Sequence, residues 1–119
     1  MNTSNAIEVT NLQKKFGSLT AVNKVSFSIP AGSIFSLLGP NGAGKSTTIS
    51  ILSGLLAADG GEVVIKGHSL RAESQAARSA LGVVPQEIAL YPDLSARENL
   101  VFWGKMYGLR GARLASRVQ

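Results

Sequence analysis

The chain contains 119 residues, with 12 lysines and arginines, seven acidic residues and no cysteine. This length allows one small domain and hardly two, and a hydrophobic share of 45% excludes a disordered chain. The lack of cysteine excludes a disulfide scaffold and any cysteine-ligated metal site. The longest nearly unbroken apolar stretch, residues 49–58, is too short to cross a bilayer, and residues 1–5 show no secretory signal. We therefore expect a cytoplasmic protein.

The net charge of +5 is unevenly distributed along the chain. No acidic residue follows Glu98, whereas four basic residues do: Lys105, Arg110, Arg113 and Arg117. Such a run is compatible with nucleic acid or an anionic membrane surface, but a solvated helix face, or a chain cut before its acidic partners, explains it more often. The run also lacks the interleaved aromatic residues of a stacking surface, so we expect no nucleic-acid partner.

The N-terminal third shows the patterns of strands. Residues 7–10 alternate between apolar and polar side chains, and residues 25–29 do so strictly, which is typical of half-buried, antiparallel strands. Residues 33–38 are instead almost continuously apolar, as in a strand that is covered on both faces. The sequence therefore predicts two kinds of strand in this region.

The remaining elements are predicted from spacing and from helix end signals. Ile49, Leu52 and Leu56 recur at helical spacing and predict an amphipathic helix over residues 45–56. Ser95 and Glu98 form a capping box at the start of another helix, which Gly108 is placed to end. The other predicted elements are a strand at 62–66, a short helix at 73–80, a short buried strand at 81–84 and a helix at 112–119.

A phosphate-binding motif is the strongest signal in the sequence. Residues 39–47 read Gly-Pro-Asn-Gly-Ala-Gly-Lys-Ser-Thr and match the pattern G-x-x-x-x-G-K-[ST] between a predicted strand and a predicted helix. The glycines let the backbone approach a ligand, successive amides form an anion nest, and the helix adds the positive end of its dipole. The motif therefore predicts a nucleoside triphosphate site.

The motif also gives each of its residues a role at that site. We expect Lys45 to reach the β- and γ-phosphates, the Ser46 hydroxyl to ligate Mg²⁺, and Thr47 to donate to an α-phosphate oxygen. The other predicted cofactor-binding residues of the loop are Asn41, Gly42, Ala43 and Gly44.

Residues 39–47 resemble the Walker A loop of the ATP-binding cassette (ABC) family, the nucleotide-binding subunits of membrane transporters. Two further features agree with the family's register, because Phe16 lies 23 residues before Gly39 and Gln86 lies 41 residues after Lys45. The resemblance implies that Phe16 stacks on adenine. It also implies that Lys45 and Gln86 are both catalytic residues, and that Gln86 contacts Mg²⁺ and the attacking water. Similarity to the drug- and polysaccharide-export branch of the family, over residues 91–100 and 106–109, implies an exporter.

The resemblance also implies an α/β fold of the P-loop NTPase class. It predicts an antiparallel β subdomain, a P-loop strand and helix, an incomplete parallel sheet and the start of a helical subdomain. We expect a single partial ATP-binding cassette domain over residues 1–119, with four parts: a β-rich part at 7–38, the P-loop and its helix at 39–56, a strand, short helix and strand at 57–85, and the Q-loop with the start of the helical subdomain at 86–119.

Several groups that hydrolysis requires in this family are not found in the sequence. They are the signature motif, the Walker B aspartate, the catalytic glutamate and the switch histidine, and the single histidine, His68, precedes Gln86. Because phosphoryl transfer depends on positioned charges, we expect this chain to bind MgATP without efficient turnover on its own.

The resemblance implies partners as well. We expect a transmembrane permease subunit to bind through the Q-loop and the following helix, and a nucleotide-dependent dimer in the full-length protein. This arrangement would place the protein at the inner face of the cell membrane. A non-catalytic nucleotide-binding module is the alternative, if the reading frame ends at Gln119. A GTPase would need an N-K-x-D element, and residues 23–26 (Asn-Lys-Val-Ser) are not one.

Overall fold

The computed structural model describes residues 4–39, 44–87 and 89–119, which form two compact units, Met1–Val83 and Val84–Gln119. In the described part of the first unit the elements are β1 (Asn5–Phe16), β2 (Leu19–Pro30), α1 (Lys45–Leu52), β3 (Gly60–Ile65), β4 (His68–Ser69) and α2 (Ser74–Ser79). In the described part of the second unit they are α3 (Ala96–Met106) and α4 (Gly111–Val118). No helix among these is long and apolar enough to span a bilayer.

The four strands form one antiparallel sheet in the order β2-β1-β3-β4. β1 and β2 pair along their whole length through a tight turn at Gly17, whose φ of 61° suits the first position of a type II′ turn. Both strands are longer than the predicted segments 7–10 and 25–29, because bulges interrupt the alternation that sequence patterns detect. Asn11 and Lys24, in the irregular part of the hairpin, each have a φ of 50°.

The core of the first unit joins the sheet to α1 and α2. Val63 and Ile65 contribute from β3, which confirms the strand predicted at 62–66, because alternate residues of a strand share one face. The buried cluster consists of Val9, Leu12, Val22, Ile51, Leu52, Val63, Ile65 and Ala77. The short helix predicted at 73–80 is also confirmed, and its Ala77 is fully buried in this cluster.

α1 is shorter than the predicted helix, which was expected to reach residue 56. Gly54 has a φ of 80°, and its N–H donates to the carbonyl of Ile51 at 3.0 Å, which closes the helix after Leu52. The buried face also differs from the prediction, since Ile51 and Leu52 are buried whereas Ile49 is exposed.

Two apolar segments that were predicted to be strands are not strands. Residues 33–38 and 81–84 lie outside the sheet, and the side chains of Ile34 and Val84 are 99% and 97% exposed. The predicted parallel sheet is therefore not formed within residues 4–39, 44–87 and 89–119. A strand of this composition requires pairing strands beside it and packed layers on both of its faces, and the described residues do not supply them.

The second unit confirms the predicted helix signals. The Ser95 side chain caps α3 by accepting a hydrogen bond from the Glu98 N–H at 3.1 Å, and Gly108, with a φ of 86°, follows the helix end as expected. α4 covers most of the helix predicted at 112–119. α3 and α4 approach each other closely at Gly104, where a Cβ atom would collide with the side chain of Leu114.

A buried asparagine orders the loop that precedes α3. Asn99 accepts a hydrogen bond from the Tyr91 N–H at 2.9 Å through its Oδ1 atom. Its Nδ2 atom donates to the carbonyls of Tyr91, Leu94 and Ser95 at 3.1, 3.2 and 3.0 Å. One side chain thus makes hydrogen bonds with four backbone groups, and the pattern of apolar residues gives no signal for such a role.

Candidate functional site

The N-terminal end of α1 is built around Gly44. Gly44 has a φ of 84°, and a Cβ atom at this position would collide with the carbonyl oxygen of Ala21 in β2. Its own carbonyl accepts hydrogen bonds from the Thr48 N–H at 2.9 Å and from the Thr48 hydroxyl at 2.8 Å. Only glycine satisfies both the backbone angle and the close approach, so this residue begins the helix against the sheet.

The first turn of α1 brings backbone amide groups to a cavity. The N–H groups of a first helical turn have no acceptor within the helix, and among the described residues no side chain caps α1. The backbone amides of Lys45, Ser46 and Thr47 therefore form a positively polarised surface. This surface suits a phosphate group.

Lys45 reaches back over the start of the motif. Its ammonium group donates to the carbonyl of Gly39, so the side chain connects the described residues on either side of positions 40–43. The predicted cofactor-binding residues Asn41, Gly42 and Ala43 lie outside the described residues. The lysine provides a half-buried positive charge beside the helix N-terminus, which suits a polyphosphate.

Phe16 and the phosphate-binding residues share one cavity of about 200 Å³. The ring stands at the end of β1, next to the turn at Gly17, and is 48% exposed. The residues that line the cavity are Phe16, Leu19, Ala21, Gly44, Lys45, Ser46 and Thr47. An aromatic ring and a cationic helix N-terminus are thus placed together, as the base and the phosphates of a nucleotide require.

A larger cavity of about 370 Å³ lies elsewhere in the first unit. It opens between the end of α1 and β3, where Leu12, Ile51 and Val63 form part of its wall. None of the described residues of the phosphate motif lines it. We assign the candidate site to the smaller cavity, because only that cavity combines a lysine, a helix N-terminus and an exposed aromatic ring.

Gln86 belongs to the second unit and lies on an exposed segment after Pro85. Its predicted contacts with Mg²⁺ and water therefore stay predictions. Within the described ranges no group of three or more acidic or histidine side chains could hold a metal ion. The ligands predicted from the sequence, Ser46 and Gln86, carry neutral oxygens, which suits an ion that takes its other ligands from phosphate and water.

Sequence analysis missed two residues beside the site. Lys14 lies with its Nζ atom 5.5 Å from the centre of the Phe16 ring, and Asp59 lies 3.6 Å from the same Nζ atom. The two-residue spacing of Lys14 and Phe16 on one strand was a signal for the first contact. Asp59 is distant in sequence, so no local pattern could have predicted the second.

A sequence profile of the family described as "ABC transporter" matches residues 22–119. The chain belongs to this ABC transporter family. A similar relative is the linearmycin resistance ATP-binding protein of Bacillus subtilis (strain 168), 53% identical over 103 residues, which are 87% of this chain and 33% of that protein. Another is the Nod factor export ATP-binding protein I of Sinorhizobium fredii, 44% identical over 109 residues, which are 92% of this chain and 32% of that protein.

Among solved structures, an ATP-binding subunit of an ABC transporter superimposes with a TM-score of 0.78 at 32% identity. The match covers 90% of this chain and 45% of that one. The ABC ATPase fold expected from the motifs is therefore confirmed, and the described residues form its antiparallel sheet and several helices. The chain spans about a third of the length of these two curated ABC relatives.

Proposed function

We propose that this ABC chain forms the nucleotide-binding part of an export subunit in which binding and hydrolysis of MgATP drive transport. The single observation that carries the proposal is the shared cavity of Phe16 and the N-terminal end of α1. The name of one similar relative, the Nod factor export ATP-binding protein I, supports export.

In this proposal Phe16 stacks on adenine, and the amides from Gly44 to Thr47 hold the phosphates. The ammonium of Lys45 leaves the Gly39 carbonyl for the β- and γ-phosphates, because a charge-assisted bond to phosphate is stronger than one to a neutral carbonyl. Mg²⁺ would neutralise part of the negative charge of the phosphates when it is bound. Ser46 and Gln86 are its proposed ligands, and Gln86 also orients water.

The proposal extends to turnover and partners. The groups that activate water and complete the site are not found in this sequence, so we propose that the chain alone binds ATP without efficient hydrolysis. We also propose that the exposed segment at Gln86 and the following α3 face a membrane permease subunit, and that the full-length protein dimerises around nucleotide.

Titration of a fluorescent ATP analogue with Mg²⁺ tests the site. We expect Lys45→Ala to weaken binding about 10- to 100-fold, since a hydrogen bond to a charged group contributes about 1.5–3 kcal/mol. Lys105→Ala, which removes an exposed lysine from α3, is the matched control and should bind like the unchanged chain. Equal affinities for the Lys45 and Lys105 variants would contradict the proposed site. Steady phosphate release that Lys45→Ala abolishes would contradict the absence of turnover and the non-catalytic alternative together.

A further inference from the structure

A three-residue chain of contacts supports the exposed side of the candidate site. The Lys14 side chain is only 14% exposed and lies between the Asp59 carboxylate and the Phe16 ring. The ring itself is half exposed and closes no hydrophobic core. A partly buried ammonium next to a carboxylate and an aromatic face is attracted to both, which favours one orientation of the ring.

Asp59 is itself fixed against the backbone of β1. Its Oδ2 atom accepts a hydrogen bond from the Lys15 N–H at 2.7 Å, and its own N–H donates to the Gln13 carbonyl at 2.8 Å. These bonds attach Asp59 to β1 on both sides of Lys14. The N–H of Lys15, followed by the positive charges of Lys14 and Lys15, holds the pKa of the Asp59 carboxyl below its usual value, so the carboxylate stays charged to a lower pH than an ordinary aspartate.

The contact of Lys14 with the ring leaves the cavity free. Phe16 lines the cavity together with Lys45, whereas Lys14 is not among the described residues that line it. The ammonium therefore contacts the ring from outside the space that a base would occupy. A ring that is already oriented loses less freedom when a ligand binds, which raises the affinity.

We propose that Lys14, held in place by Asp59, is a positioning residue that fixes the Phe16 ring for the nucleotide base. This inference rests on the proposed function, because it assigns a positioning residue to the base-binding end of the same site. It predicts an effect on ligands that carry a base and none on ligands that consist of phosphate alone.

Binding of MgATP and of inorganic tripolyphosphate to the full chain distinguishes the base-binding end of the site from its phosphate-binding end. We expect Lys14→Met, which keeps the aliphatic stem, to weaken ATP binding about three- to tenfold and to leave tripolyphosphate binding unchanged. Lys14→Arg should restore ATP binding, since guanidinium also pairs with carboxylate and stacks on aromatic rings. Lys15→Met removes the same charge from the adjacent, exposed position and should behave like the unchanged chain.

Asp59→Asn provides a second variant if Lys14→Met does not fold, and we expect the same selective loss of ATP affinity with a smaller factor. Equal weakening of both ligands by Lys14→Met, or no weakening of either, would overturn the inference while the proposed function stood. Failure of the unchanged chain to bind either ligand would instead contradict the proposed function.

Discussion

The two compact units of this chain are stabilised by different means. The first unit buries a continuous cluster of eight apolar side chains between its sheet and its helices. In the second unit, within the described residues, Leu114 is the buried apolar side chain and Asn99 the buried polar one, while Leu100, Trp103 and Met106 remain exposed. Helix caps and the hydrogen bonds of Asn99 fix the backbone of the second unit.

The difference shows how far helix caps and side-chain hydrogen bonds can order a segment that buries few apolar side chains. Burial of apolar surface contributes about 25 cal/mol per Å², so the first unit gains stability from the number of side chains it covers. The second unit gains stability from hydrogen bonds to its backbone groups. Each such bond contributes less to the free energy of unfolding than the burial of one large apolar side chain. We expect substitutions of the same kind to have unequal effects in the two units.

The largest difference is expected for leucine truncation. Leu12→Ala removes a side chain that is completely buried in the first unit, and we expect it to lower the free energy of unfolding by about 2–5 kcal/mol. Leu100→Ala truncates a leucine of the second unit that is 53% exposed. This substitution should change the free energy of unfolding by less than about 0.5 kcal/mol. Urea unfolding followed by circular dichroism measures both. Equal losses would show that the second unit has an apolar core of its own.

An intermediate effect is expected at the buried asparagine. Asn99→Ala removes the side-chain partner of the Tyr91 N–H and of the Leu94 carbonyl, which should destabilise the second unit by about 1–3 kcal/mol. The carbonyls of Tyr91 and Ser95 lose one bond each but keep a backbone N–H donor. Trp103, the single tryptophan, lies 6.4 Å from the Tyr91 ring and reports this unit through its fluorescence during urea unfolding. Asn23→Ala, at an exposed position in β2, is the control. An unchanged Trp103 transition in Asn99→Ala would contradict the role of these bonds.

The smallest effect concerns acid sensitivity of the first unit. The pKa of Asp59 is lowered in the folded protein, mainly by the Lys15 N–H, so its contribution to stability is present above the unfolded pKa of about 3.9. That contribution is lost as the pH falls through the lower folded pKa. We therefore expect the unchanged chain to unfold at higher urea concentration than Asp59→Asn at pH 7, and the gap to shrink towards pH 3.

Asp93→Asn, which removes an acidic residue from the second unit, is the control for the loss of one negative charge. A gap between the unchanged chain and Asp59→Asn that stays constant with pH would show that Asp59 acts through its shape and not through its charge.

Local patterns predicted the elements whose determinants lie close together in sequence. The Ser95 cap, the glycine after α3 and the alternation at 25–29 each involve neighbours within a few residues, and each is found in the structure. The apolar segment at 33–38 was predicted to be a strand for its composition alone. It is exposed here because a central strand is stabilised by distant partners, and composition does not supply those partners.

The sequence by itself determined the family, the phosphate motif and the likeness of Phe16 and Gln86 to known site positions, because these depend on residue type and spacing. Only the tertiary structure decided that Gly44 must approach the carbonyl of Ala21, and that Phe16 and Lys45 share a cavity. It also decided that Asp59 meets Lys14 across 45 positions of sequence. Contacts between distant residues arise from the pairing of strands and the packing of α1 on the sheet, which no local pattern records.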